Sequence, residues 1–141
     1  MKLDHVAIAV RSLTLASERL CPLLGYERDG EGVTNSRQDV RVLFLKKAES
    51  LPIKLIEPAS DQSPLWDFVR KGGGLHHVCF KAGDVSAAVT DLTSQGARLL
   101  AGPQPGEAFA NELIAFVYAG FGLNVEIIDT DLRGGRQETK A

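Results

Sequence analysis

No apolar run in this 141-residue sequence approaches the roughly 18 residues of a membrane-spanning helix. The N-terminus lacks the apolar h-region of a secretory signal and runs directly into a strand pattern. Cysteine is scarce: Cys21 and Cys79 form neither a CxxC pair nor a disulfide framework. Free thiols without a targeting segment point to a cytoplasmic location. Positive charge is also short, with 16 Lys and Arg against 18 Asp and Glu and a formal net charge of −2. No basic stripe forms, so no nucleic-acid partner is expected. Glycine does cluster at Gly72-Gly73-Gly74, but no GxGxxG follows a strand and no GxxxxGK[ST] is present, which argues against a phosphate loop.

What the chain does contain is a repeat. Leu3-Asp4-His5-Val6-Ala7-Ile8 returns as Leu75-His76-His77-Val78-Cys79-Phe80, 72 residues later. Val42-Leu43-Phe44-Leu45 returns as Ile114-Ala115-Phe116-Val117, and Ile53-Lys54-Leu55-Ile56-Glu57 as Val125-Glu126-Ile127-Ile128-Asp129, at the same offset. Two copies of a small unit each carry an apolar face, and packing them together buries both.

Hydrophobic alternation predicts strands over 2–10, 24–28, 40–47 and 53–57, with a helix capped by Ser12 or Thr14 and closed by Pro22 and Gly25. Residues 30–39 read as a loop. Ser63-Pro64 opens a short linker helix, and the triple glycine marks a boundary. The second unit repeats the order: strand 75–81, helix from Asp84 to about 94, strand 97–100, loop 102–106, strands 113–118 and 123–128. The expected fold is α+β, two βαβββ modules (about 2–58 and 75–129) forming one cupped mixed sheet. Residues 130–141 read as a flexible polar tail.

The repeat makes His5 equivalent to His77 and Lys54 equivalent to Glu126, so four polar side chains are able to converge where the modules meet. A carboxylate at Glu126, in the middle of an internal strand, is expensive unless paired, metal-bound or wet. Two histidines and a carboxylate suit a divalent first-row metal. Two readings are open on spacing alone: a metal or catalytic site, or a surface-facing Glu126 with two hydrogen-bonded histidines. Phe44 and Phe116 are repeat-related and suit either a shared pocket or core packing. Phe109 lies in the loop 107–111, which can cover a ligand. His76 alternates away from His77, toward the surface or an outer shell.

The motifs Leu3-Asp4-His5-Val6-Ala7-Ile8-Ala9-Val10, Leu55-Ile56-Glu57-Pro58, Gly73-Gly74-Leu75-His76-His77 and Gly96-Ala97-Arg98-Leu99 resemble the vicinal oxygen chelate superfamily, which includes glyoxalase, bleomycin-resistance proteins and extradiol dioxygenases. The resemblance spans roughly residues 2–129 and is nearest to the methylmalonyl-CoA epimerase-like members. It implies a glyoxalase-like domain and metal ligands at His5, the Lys54 position, His77 and Glu126, with Co, Mn, Ni, Zn or Fe as the cofactor. It also implies a homodimer, and an isomerase, epimerase or lyase that stabilises an enolate on a small carbonyl or acyl-thioester substrate.

Two positions depart from that pattern. Metal-dependent relatives carry Glu or Gln where this chain has Lys54, and a lysine ammonium has no lone pair to give. Epimerase relatives place a catalytic Glu before the third strand, where this chain has Arg37-Gln38-Asp39-Val40; an arginine is not a general base. The candidate catalytic set is therefore Lys54, Glu126 and Arg37, the metal set His5, His77 and Glu126, and the substrate contacts Phe44, Phe109 and Phe116. A ligand-sequestering protein of the bleomycin-resistance type, without metal or turnover, is the alternative function.

Overall fold

The computed structural model describes residues 1–135. Module 1 comprises β1 (Lys2–Ala9), α1 (Leu13–Leu24), β2 (Glu27–Asn35), β3 (Val40–Lys46) and β4 (Ile53–Pro58). The linker helix α2 (Leu65–Arg70) leads into module 2: β5 (Gly74–Lys81), α3 (Val85–Ser94), β6 (Arg98–Gly106), a 3-10 turn (Glu107–Phe109), β7 (Glu112–Gly120) and β8 (Leu123–Ile128). The eight strands form one sheet in the order β2-β3-β4-β1-β5-β8-β7-β6. The two modules are thus mirrored about the antiparallel β1–β5 pair, with β1–β4 and β5–β8 both parallel.

Strand alternation divides the apolar residues between two sides of this sheet. On the outer side, α1 covers Leu43, Leu45, Ile53 and Leu55, while α3 covers Ala115, Val117, Val125 and Ile127. On the inner side a third cluster draws on both modules, with Ala9, Phe44 and Ile56 from the first and Cys79, Phe109, Phe116 and Ile128 from the second. Among the described residues no helix is long and apolar enough to cross a membrane.

The elements differ from expectation mainly at their ends. Helix α1 runs through Pro22 and stops at Gly25, whose φ of 74° forms the left-handed cap. Strand β2 occupies Glu27–Asn35, over much of the expected loop, because β3 supplies its partners: Val33 faces Val42 and Asn35 faces Val40 across an irregular register. Strand β6 likewise extends through the Pro-rich segment by pairing with β7. The tail also differs. Thr130 is buried, the Gly134 N–H donates to the Ala108 carbonyl, and the Glu31 N–H donates to the Gly135 carbonyl. Residues 130–135 are thus docked; 136–141 lie outside the described residues.

Candidate functional site

The four repeat-related residues meet. His5, Lys54, His77 and Glu126 are all buried, and Glu126 is 0% exposed. Equivalent strand positions put them there: Lys54 lies opposite Ala7 across β1–β4, and Glu126 opposite Cys79 across β5–β8. Lys54 Nζ donates to both carboxylate oxygens of Glu126, at 3.1 and 3.0 Å. His5 Nε2 lies 3.1 Å from Glu126 Oε1. His77 Nε2 lies 3.4 Å from the same oxygen, close enough for the carboxylate charge to act on it but without hydrogen-bond geometry. The His5 and His77 ring centroids are 6.5 Å apart.

Each histidine is also held from behind, by a device the alternation rule conceals. The β1–β5 register slips at two places. Leu3 pairs with Phe80 and His5 with Cys79, leaving Asp4 as an extra residue; Ala7 pairs with His77 and Ile8 with Leu75, leaving His76 as another. Such bulges turn a side chain out of its regular direction. Asp4 Oδ2 thereby reaches His5 Nδ1 at 2.7 Å, and His76 Nδ1 reaches His77 Nδ1 at 2.8 Å. Asp4 and His76 are themselves repeat equivalents.

The charges are mutually compensated. Burial alone would raise the Glu126 carboxyl, but the Lys54 ammonium and the His5 contact outweigh it and hold the group well below the usual carboxylate range. Burial pushes the His77 imidazole down to about 4, with Lys54 adding to that and the Glu126 carboxylate opposing it. His76 is lowered as well, by burial and then by Lys54. Burial and the Glu126 charge raise the Cys79 thiol, so it stays protonated and inert.

A cavity of about 250 Å³ opens on one side of this centre. Lys54, His76 and His77 are its titratable lining groups. Gln38 and Asn124 add polar atoms, and Phe68, Leu100 and Phe116 are among its apolar walls. Phe116 meets His77 edge-on at 5.3 Å. The other sequence candidates lie elsewhere. Phe109, expected in a covering loop, is fully buried in the 3-10 turn and stacks on His5 at 6.0 Å. Phe44 packs edge-on against His5 at 5.5 Å. Neither lines the cavity. Arg37 is half-exposed and points to Glu107 at 4.0 Å. His76, read from the sequence as facing away, lines the cavity because of the β5 bulge. The Asp4–His5 and His76–His77 adjacencies were the available signal, since in each module a polar residue immediately precedes the histidine.

The ligand atoms of His5, His77 and Glu126 all lie within 4.8 Å of one another, close enough to share a metal ion; Asp4, His5 and Cys79 form a second such group. Two βαβββ modules joined edge to edge, with a two-histidine, one-carboxylate centre at their junction, define a class of cupped-sheet proteins. The chain belongs to the Glyoxalase/Bleomycin resistance protein/Dioxygenase superfamily, whose model matches residues 4–116. It is similar to the ethylmalonyl-CoA/methylmalonyl-CoA epimerase of Cereibacter sphaeroides, with 35% identity over 108 residues, 74% of this chain and 78% of that one. It is 35% identical over 101 residues to the mitochondrial methylmalonyl-CoA epimerase of Bos taurus, covering 70% of this chain and 57% of that longer protein. The crystal structure of methylmalonyl-CoA epimerase from Mycobacterium tuberculosis superposes with a TM-score of 0.80 at 30% identity, over 91% of this chain and 87% of that one.

Proposed function

We propose that this protein is an isomerase or epimerase that removes and returns the α-proton of a small acyl thioester, with Lys54 as a covalently built-in cation where metal-dependent relatives hold an ion. The observation that carries this is the Lys54 ammonium, 3.0–3.1 Å from both Glu126 oxygens and on the wall of the cavity. The residues present do not fit a divalent ion in the same place. Both carboxylate oxygens already accept from Lys54, and a second cation about 4 Å away is opposed by on the order of 4 kcal/mol per unit charge at an effective dielectric of about 20.

The chemistry follows from what lines the cavity. The α C–H bond breaks, its proton passes to a neutral imidazole of His76 or His77, and the electron pair moves onto the thioester oxygen. A fixed ammonium aimed at that oxygen stabilises the enolate. Return of a proton to the opposite face inverts the centre, and return to the same face gives isotope exchange alone. The relatives named as ethylmalonyl-CoA/methylmalonyl-CoA epimerases make 2-alkylmalonyl-CoA thioesters the substrates to try.

The test is incubation with methylmalonyl-CoA in D₂O, before and after exhaustive chelation. Deuterium incorporation at the α-carbon, unaffected by chelation and reduced roughly a hundredfold or more by Lys54→Met, is expected. Loss of exchange on chelation would restore a metal in the role given to Lys54. Binding without exchange would favour the sequestering function.

A further inference from the structure

Where Phe116 faces the open cavity, its repeat equivalent Phe44 is covered. The group covering it is Arg133, from the segment that follows β8. We propose that Arg133 is a positioning residue of the site, holding His5 in place through Asp4. This rests on the reading of His5, Glu126 and Lys54 as the working centre.

The Arg133 side chain is only 5% exposed. Its Nη2 donates to Asp4 Oδ2 at 2.7 Å, the same oxygen that meets His5 Nδ1 at 2.7 Å. Its guanidinium lies 4.9 Å from the ring centroids of both Phe44 and Phe109, a cation–π arrangement. These two rings both pack against His5, Phe44 edge-on and Phe109 stacked. Arg133 therefore contacts three of the groups that fix the His5 ring: the carboxylate behind it, the ring at its edge and the ring stacked on its face. The fourth, Glu126, is fixed by Lys54. An alternating series results, Arg133–Asp4–His5–Glu126–Lys54, running from the C-terminal segment to the cavity wall.

The segment is built to deliver this side chain. Arg133 Nη1 also donates to the Leu132 carbonyl at 2.9 Å, which orients the fork. Gly134 and Gly135 then dock against the 3-10 turn and β2, so closely that a Cβ at either would collide with the carbonyl of Glu107 or Glu31. Lysine would supply the charge at position 133 but not the planar fork that meets Asp4, Leu132 and two ring faces at once. Without Arg133, the Asp4 carboxylate loses the charge that balances it on the side away from His5. The ring is then free to tilt toward Asp4 and away from Glu126. Groups that orient a metal-ligating histidine through its second nitrogen contribute about 10–100-fold, and the lower end of that range is the scale expected for His5.

The chain has only three histidines, so their side-chain ¹⁵N–¹H spectra are assignable from single variants. Arg133→Met keeps apolar packing over the rings and removes the charge; Arg133→Gln removes the charge with a polar group. In whichever of the two stays folded by amide dispersion, the His5 ring resonances are expected to move while those of His76 stay put. For α-proton exchange, kcat should fall about tenfold with KM within about twofold. Arg133→Lys should recover part of that loss. Adding Asp4→Asn to Arg133→Met should cost nothing beyond Asp4→Asn alone, as for residues acting through one path. Unmoved His5 resonances in a folded Arg133 variant, or independent effects of the two substitutions, would overturn the proposal. If the wild-type protein shows no exchange yet His5 still responds to Arg133, the proposed reaction falls and the coupling stands.

Discussion

Lys54 and Glu126 stabilise each other only as a pair. Taking either charge out of water costs several kcal/mol, and the pair recovers this through two hydrogen bonds and the additional contact from His5. Lys54→Met leaves Glu126 without its counter-ion and is expected to destabilise the fold by about 3–5 kcal/mol, read from urea unfolding at pH 7. Lys54→Glu acts differently: it exchanges the opposing charge for an oxygen ligand beside two histidines. Isothermal titration with Co²⁺ or Mn²⁺ should then show a strong site, lost again in Lys54→Glu/His77→Ala, and equal weak binding by wild type and variant would contradict the role given to Lys54. The pH dependence has two windows of the same sign. His77 is held down to about 4 from an ordinary 6.5, so the unfolded chain takes up its proton first. Stability is therefore lost as pH falls from 6.5 to 4, by roughly 3 kcal/mol. Glu126 and Asp4 are held below their ordinary 4.5 and 3.8, so their contribution is present above those values and lost as pH falls beneath them. A urea midpoint that stays level between pH 6.5 and 4 would show that His77 is not buried neutral; His77→Gln should shrink the loss in that window, leaving the part that His76, also held down, contributes.

At the scale of elements, the central β1–β5 pair sets the geometry of the site. Its two bulges aim Asp4 and His76 at the histidines that follow them. The pair is entered through Gly73, whose φ is 68° and where a Cβ would stand 2.5 Å from the Ala9 carbonyl oxygen. Gly73→Ala is therefore expected to cost about 1–3 kcal/mol from the backbone conformation alone. Because the collision lies at the end of β1–β5, histidine resonances should shift along with stability. A variant with a wild-type urea midpoint would show that this joint tolerates a side chain. Arg37 occupies a different setting, half-exposed and outside the cavity lining. Arg37→Ala should change kcat by less than about twofold, because a half-exposed charge outside the cavity lining is largely screened by solvent.

The whole molecule is one cup made from two similar halves. Its inner cluster takes residues from both modules, and α2 packs on β1 and β4 of the first while its Phe68 touches His76 of the second. Neither module can bury that face alone, so unfolding is expected to be a single transition. Trp66 fluorescence and far-UV circular dichroism should give coincident urea curves; separated midpoints would mean that the modules unfold independently.

The sequence by itself determined the repeat, and through it the succession of elements in each module and the equivalence of His5 with His77 and of Lys54 with Glu126. Periodicity carries such information because it is local: each residue's face follows from its neighbours. Tertiary structure alone decided the rest. The bulges that aim Asp4 and His76 arise from pairing between strands of different modules, and local alternation assigns those side chains to the wrong face. Strands β2 and β6 gain their length from partners, not from their own patterns. Phe109 and Arg133 read as loop and tail residues, yet both end against His5 or its carboxylate. They pack on Phe44, whereas its repeat equivalent Phe116 borders the open cavity. That asymmetry is invisible in a sequence that nearly repeats itself, because it depends on which half the last segment of chain comes back to cover.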